Sequence, residues 1–402
     1  MIKIPKDWEK KTLNDLGNLS KGSGISGKQM KSNGIPCIGY GDIYTKYDIK
    51  FCVSQNFTDE NAIKESVSIN KGTLLFTATG ETAEEIGKCV CYYGEEPIYV
   101  GGDIFILPVN DIDPFFVAYQ QNLFPFIKEK ARLGQGHSVV HIRSEDIKKL
   151  SVVYPKNLSE QQKIAKILTK WDDAIELQER LVEKLELRKK ALMQRLLKPK
   201  KDWTIIKIID LGTTFNGLNG KTAEDFGYGK YYIPYMNVYT NPIIDEDFFE
   251  HVKIGKNENQ IKVIYGDVLF TTSSETPEEV GVSSVYLGHE KELYLNSFCF
   301  GFRINDFKKL LPEFSAYYFR SNQFKKILKK LAQGVTRFNL GKESLLKESI
   351  IIPKIQEQTS ISKKIINADS VLKLHTQKLT LLKLQRKSLM QHLLTGKTRV
   401  KP

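Results

Sequence analysis

The sequence predicts an α+β protein with an internal pseudo-two-fold repeat: two mixed β-rich domains, each followed by one long helix. Three observations predict it. Short motifs recur in the same order at a nearly constant offset of 194 to 198 positions. The first 150-odd residues of each copy hold short β-rich runs separated by Gly, Asn and Pro. The rest of each copy, Glu160–Leu197 and Glu357–Leu394, contains neither Gly nor Pro.

The repeat is the strongest of the three. Pro5-Lys6-Asp7-Trp8 returns as Lys200-Lys201-Asp202-Trp203, and Asp15-Leu16-Gly17 returns as Asp210-Leu211-Gly212. The stretch from Gly72 to Gly87, with Glu81-Thr82 and Glu84-Glu85, reappears from Gly266 to Gly281 with Glu275-Thr276 and Glu278-Glu279. Leu133-Gly134-Gln135-Gly136 matches Leu331-Ala332-Gln333-Gly334, Pro155-Lys156 matches Pro353-Lys354, and Leu192–Leu197 matches Leu389–Leu394. Two copies are too few for a solenoid, so the chain is one two-part module used twice. Its segments are a domain at 1–155, a helix at 156–199, a second domain at 200–353 and a second helix at 354–402.

Within each domain the runs Thr73–Ala78, Ile104–Pro108, Val268–Thr272 and Phe298–Ile304 read as strands, being β-branched, aromatic and bounded by turn residues. In each helix the apolar positions alternate by four and three. The first copy supplies Ile164, Leu168, Trp171, Ile175, Val182, Leu185, Leu192 and Leu196. The second supplies Ile361, Ile365, Ala368, Leu372, Leu379, Leu382, Leu389 and Leu393. Such a seam over five heptads is a coiled-coil signal, and the partner helix lies in the same chain. At 1.5 Å per residue each rod would measure about 57 Å. Two seam positions are polar in both copies, Gln178/His375 and Lys189/Arg386, as expected where two helices must fix a register. An ordinary core helix is the competing reading, but such helices seldom exceed ~25 residues.

Composition narrows the function. Across 402 residues, 60 Lys+Arg stand against 47 Asp+Glu, a formal charge of +13, with 41% hydrophobic and 27% charged residues. That is the profile of a globular protein with an anionic partner. No stretch of ~18 apolar residues is present, so no membrane span is expected. Met1–Trp8 has no apolar run of a leader, and the five cysteines form no CxxC pair. A cytoplasmic protein without disulfides or a zinc ribbon is therefore expected. Seven basic and no acidic residues run from Arg188 to Lys201, and eight basic and no acidic from Val371 to the end, so part of the surplus sits near the rod ends.

Basic and aromatic residues interleave in both domains, a mixture suited to phosphate contact by Lys and edge or stacking contact by Tyr. Tyr40, Tyr44 and Lys46 are the candidates in the first copy, Tyr235 and Asn237 in the second. The loop before each long helix offers Gln135 and Ser138 in one copy and Gln333, Thr336 and Arg337 in the other; Gln, Asn and Arg bond base edges bidentately. A turn held by its own polar side chains is the structural alternative at each position. Residues 21–70 and 213–262 have diverged far more than the Gly72–Gly87 scaffold, as two readers of different targets would.

Other patterns lack their chemistry. Gly22–Lys28 fits G-x4-G-K, but Gln29 replaces the Ser/Thr that holds magnesium, and around Lys221 the leading Gly is misplaced; a turn with a phosphate-contacting lysine, Lys28 and Lys221, is the better reading. Asp113-Pro114-Phe115-Phe116 lacks the second proline of the amino-methyltransferase motif. His137 and His141 have metal-ligand spacing, but the second copy puts Val335 and Asn339 there, so no shared metal site is expected. Glu84-Glu85 and Glu278-Glu279 follow a Thr closely and read as helical-turn starts. With no nucleophile–base pair, the chain reads as non-catalytic.

In this order the motifs resemble the specificity (S) subunit of type I restriction–modification enzymes. The resemblance covers essentially the whole chain. It rests on the Asp-Trp start followed by Asp-Leu-Gly, the Gly266-Asp-Val-Leu-Phe270 strand, the Pro155…Glu160-Gln161 and Pro353…Glu357-Gln358 helix entries, and the Leu-Met-Gln-x-Leu-Leu exits. It implies that each domain is a target-recognition domain for one half of a split, asymmetric double-stranded DNA sequence. The helices would pack as an antiparallel coiled coil that sets the half-site spacing. Two methyltransferase subunits would dock there and two restriction/translocase subunits would join them. S-adenosylmethionine, ATP and Mg2+ would then belong to the partners, and this chain would hold none. A DNA-binding regulator or scaffold with duplicated readers and no methyltransferase partner is the alternative class.

Overall fold

A computed structural model describes residues 5–136 and 138–401; His137 lies outside the described residues. The chain divides into two units, residues 1–179 with 377–402 and residues 180–376. The division does not follow the four sequence segments: each unit takes one β-rich domain, half of the helix that follows it and half of the other.

In the first unit a five-stranded sheet runs in the order Ser20–Lys21, Ile104–Pro108, Thr73–Thr77, Cys89–Tyr92, Lys50–Phe51. Thr73–Thr77 is buried along its whole length, which is why Thr-Leu-Leu-Phe-Thr shows no in–out alternation. A second sheet of four strands carries Ile35–Ile38 and Ile98–Val100 at its centre. Trp8–Thr12 pairs antiparallel with Ser151–Pro155, so the chain start is sewn to the strand that feeds the first long helix. The second unit repeats the plan. Gly212–Asn216, Cys299–Ile304, Val268–Thr271 and Ser283–Val285 form its main sheet, and Thr204–Lys207 pairs with Ser349–Ile352. Its core is strongly aromatic: Phe270 stacks on Phe300 at 5.4 Å and meets Phe319 edge-on at 5.5 Å.

The long helices are Leu158–Leu196 and Ile355–Leu393, 39 residues each. They pack antiparallel, as contacts within each unit show. In the first unit Arg386 meets Asp172 at 2.5 Å and Lys383 meets Glu179 at 2.6 Å. In the second, Lys189 pairs with Asp369. Ile164, Leu168, Ile175, Ile361 and Ile365 are buried, whereas Trp171, Val182, Leu185, Leu372, Leu379 and Leu382 are half-buried, so the seam is the one the heptads predict.

The polar seam pair Lys189/Arg386 has an equivalent structural role in both units. Asp172 receives the Arg386 guanidinium and the Tyr119 hydroxyl, while Asp369 receives Lys189 and the Tyr317 hydroxyl, the latter at 3.0 Å. Each triad joins both helices to the β-rich domain of its own unit. Burial raises the Asp172 carboxyl above the ordinary aspartate range, and the Arg386 charge opposes that rise.

The helix entries are also built alike. Gln161 is fully buried, accepts the Asp113 N–H at 2.8 Å and donates to the Pro155 carbonyl at 2.8 Å. Gln358 accepts the Leu311 N–H at 2.9 Å and donates to the Pro353 carbonyl at 2.9 Å. The preceding glutamates are also paired, Glu160 with Arg399 at 2.8 Å and Glu357 with Lys200 at 2.6 Å. Arg399 forks onto Asp7 as well, tying the two chain ends together within the first unit.

Candidate nucleic-acid interface

One short helix starts each cluster. Tyr40–Thr45 begins where the Gly39 N–H donates to Asp42 at 2.9 Å; Asp42 is buried and also accepts the Asn56 amide at 2.7 Å. That anchor leaves Tyr40 exposed and turns Tyr44 inward one helical turn later. The Tyr44 hydroxyl meets Thr77 Oγ1 at 2.5 Å and donates to the Thr79 carbonyl at 3.0 Å. Burial pushes its phenol up to about 12, so it stays a neutral donor.

Against this helix stands a hairpin. Gln135 and His141 exchange backbone hydrogen bonds of 2.9 and 2.8 Å, and Val140–His141 pairs with Thr79–Gly80. His141 Nδ1 lies 3.1 Å from Thr79 Oγ1. Gly136 has φ +125°, and a Cβ there would fall 2.0 Å from the Val139 carbonyl, so the turn requires glycine. Gln135, Ser138 and Val139 are left exposed at the tip.

The second unit builds the same cluster from Tyr235–Thr240 and Gln333–Asn339. Gln333 and Asn339 exchange bonds of 3.0 and 2.8 Å, Gly334 has φ +134°, and Phe338–Asn339 pairs with Ser273–Ser274. Tyr235 donates to the Ser273 carbonyl at 3.3 Å and stacks against Tyr239, with centroids 6.0 Å apart. Tyr239 donates to Glu279 at 2.9 Å. Thr336 and Arg337 are exposed, and Val335 is 91% exposed.

The structure therefore gathers Tyr40, Tyr44, Gln135 and Ser138 in one unit, and Tyr235, Gln333, Thr336 and Arg337 in the other. Four expected contact residues stand differently. Asn237 has no exposed surface; its amide donates to the Asp245 and Phe248 carbonyls at 2.8 and 3.0 Å, so it shapes the loop. Lys221 is held by the Lys253 carbonyl at 2.5 Å and by Glu258 at 2.6 Å, with a side chain only 5% exposed. Lys46 pairs with Asp42 at 2.9 Å and serves the same anchor. Lys28 is exposed on its own 3-10 turn, Gly27–Gln29.

Tyr239, which belongs to the basic and aromatic mixture of the second copy, also joins the clusters, as do Thr79 and Ser273, which the sequence reading missed. The signal was present: Tyr40-Gly-Asp-Ile-Tyr44-Thr45 and Tyr235-Met-Asn-Val-Tyr239-Thr240 align at an offset of 195. Behind the clusters, Asn122 and Arg320 are equivalent braces. The Asn122 amide donates to the Cys89 carbonyl at 2.6 Å, and Arg320 donates to the matching Ser283 carbonyl at 2.5 Å and also to the Val238 and Asn241 carbonyls at 2.8 Å each. Asp113 proves to be a helix cap, accepting the Phe116 N–H at 2.8 Å. Among the described residues no group of His, Cys, Asp and Glu is arranged to hold a metal ion, and no helix is long and apolar enough to cross a membrane.

A tyrosine-bearing helix and a glycine-pinned polar hairpin are present once in each unit, so the cluster is duplicated with the fold. The comparisons give it a family. The model for the type I restriction modification DNA specificity domain matches residues 5–187 and 200–384. The chain belongs to that family, whose members are DNA sequence-recognition subunits and not themselves enzymes. A candidate type I restriction enzyme specificity subunit of Methanocaldococcus jannaschii, MjaX, is 24% identical over 99% of this chain and 95% of its own length. The MjaVIII specificity subunit of the same organism is 22% identical over 100% and 95%. Among solved structures, the S subunit of a type I restriction–modification system from M. genitalium has a TM-score of 0.60 at 16% identity, covering 97% of each chain. A chain from a study of type I complex assembly and conformational transition has a TM-score of 0.58 at 12% identity, covering 98% of this chain and all of the other. At such identities the structures show the fold, which has the same duplicated plan.

Proposed function

We propose that this chain reads a bipartite, asymmetric DNA target, one half-site per unit, and carries the catalytic subunits of a type I restriction–modification complex. The observation that carries the reading is the cluster itself: the same frame occurs in both units, with Ser138-Val139 at one tip and Thr336-Arg337 at the other. Base-edge readout follows side-chain identity, while the frame only positions it. A mismatched base pair costs ~1–3 kcal/mol, so one small reader discriminates poorly in a genome. Two readers on a stiff frame sum their free energies.

The helices supply a docking face. Outside the seam, Leu177 and Leu384 are exposed in the first unit, and Leu187 and Leu374 in the second, each more than half exposed. They are related by the repeat offset of 197, so each unit presents an equivalent apolar pair to a partner helix. Two methyltransferase subunits fit that duplication, and two restriction/translocase subunits would join through them. S-adenosylmethionine, ATP and Mg2+ would be their cofactors, in the cytoplasm. Mapping methylated adenines in host DNA, with and without this gene and with residues 1–155 exchanged for another reader, tests the proposal. One altered half-site is expected after the exchange. Changes in both halves, or no gene-dependent methylation together with no co-purifying methyltransferase, would refute it in favour of a stand-alone DNA-binding regulator.

A further inference from the structure

The second unit contains a groove of about 770 Å³ between the end of the first long helix and the start of the helix Asn322–Leu331. Its floor is apolar, made by Met193, Leu197, Pro199 and Leu372. Its rim is cationic: Lys190, Lys198, Lys325 and Lys326 are exposed, and among the described residues none of the four is in an ion pair. Glu186 is the one acidic residue on the wall.

The matching positions of the first unit, 197 or 198 residues away, keep part of this chemistry, since Lys190 and Lys326 answer to Lys387 and Lys128, and Met193 and Leu197 to Met390 and Leu394, but the rest of the rim differs. Lys198 becomes Thr395, Lys325 becomes Ile127, and Asn322 becomes Phe124, which is 67% exposed. The full four-lysine rim is thus a property of one repeat, unlike the leucine pairs, which occur in both.

We propose that this groove docks an acidic amphipathic helix of a partner protein, one per chain. Unpaired lysines around an apolar floor match glutamates flanking a leucine or isoleucine row. A DNA backbone would satisfy the lysines but has no apolar surface for Met193 and Leu372. The wall from Glu186 to Lys198 is about 18 Å long at 1.5 Å per residue, enough for roughly twelve residues of a partner helix. Because the full lysine rim occurs once, its occupant breaks the two-fold equivalence that the repeated docking face imposes, and the complex gains one distinguishable side. This inference does not depend on what the clusters read.

The test uses the full chain and a synthetic, fluorescein-labelled 14-residue helical peptide with glutamates on one face and leucines on the other, followed by fluorescence anisotropy. Saturable binding of one peptide per chain is expected. It should weaken at least tenfold in Lys325→Glu/Lys326→Glu and in Lys190→Glu/Lys198→Glu, each with an unchanged melting curve. Having two separate double variants protects the result against one failing to fold. The proposal is overturned if a peptide of the same composition with leucines scattered round the helix binds as tightly. It also falls if two peptides bind per chain, or if neither double variant weakens binding. A random 20-base-pair duplex that displaces the peptide and is itself lost in both variants would assign the groove to nucleic acid instead.

Discussion

Replacing Arg386 by Met should be the most damaging single change on the helical frame. Its guanidinium has two acidic partners. Asp48 is 70% exposed, so that arm is worth about 0–1 kcal/mol. The Asp172 arm is different, because both side chains are more than four-fifths buried. Removing one partner of such a pair strands a charge and costs about 3–5 kcal/mol. Protonation sets a ceiling. Neutralising an aspartate of ordinary pKa 3.8 at pH 7 costs about 4 kcal/mol, at 1.36 kcal/mol per unit. The Asp172 carboxyl is already raised by burial, and losing Arg386 removes the main charge that opposes the rise. A carboxyl raised in the folded state binds more protons there than when unfolded, so stability falls as pH rises through the raised value. Urea unfolding of Arg386→Met should therefore show a loss of about 3–4 kcal/mol at pH 7 that shrinks towards pH 4. Asp172→Asn in the same background should recover most of that loss. A loss below 1 kcal/mol, or additive effects in the double variant, would refute the argument.

Other changes test other levels. Lys130 is fully buried, donates to the Gly87 carbonyl at 2.6 Å, and burial lowers its pKa to about 8; Leu328 holds the equivalent position. The folded state then binds fewer protons than the unfolded state, so wild-type stability should rise between pH 8 and 10.5, by about 3 kcal/mol, relative to Lys130→Leu; parallel pH profiles in urea would contradict this. Gly334→Val places a Cβ 2.0 Å from the Arg337 carbonyl at φ +134°, so gel shifts should show lost affinity for one half-site with the other unaltered. Inserting one heptad in each long helix adds about 10 Å, so methylome sequencing should show a longer spacer, by roughly three base pairs, between unchanged half-sites.

The frame was legible in the sequence and the tips were only partly so. The seam positions, the strand runs and the repeat all follow from periodicity and burial, which composition records directly. The polar seam residues were visible as exceptions, but their partners were not: nothing in a heptad pattern announces that Asp172 and Asp369 would draw Lys189 and Arg386 into triads with Tyr119 and Tyr317. Asn237 and Lys221 are taken up by their own loops for a related reason. An amide or an ammonium suits a base or phosphate in solution, and it suits a loop's own carbonyls equally well. Which demand wins depends on whether the folded loop leaves carbonyls unpaired, and that is decided by three-dimensional closure.

Comparing the repeats separates what the frame needs from what a target would need. Positions with a backbone duty keep the duty even when the side chain changes. Asn122 and Arg320 brace carbonyls in both units, and Gln161 and Gln358 tie both helix entries. Gly136 and Gly334 both hold a left-handed turn that a Cβ would break. Positions without such a duty differ, Ser138-Val139 standing against Thr336-Arg337. The divergent positions are exposed and sit on backbone that the invariant ones hold rigid, so a substitution there costs little stability. The readout proposed for the tips, and the partner choice proposed for the four-lysine rim, can therefore change independently of each other and of the fold.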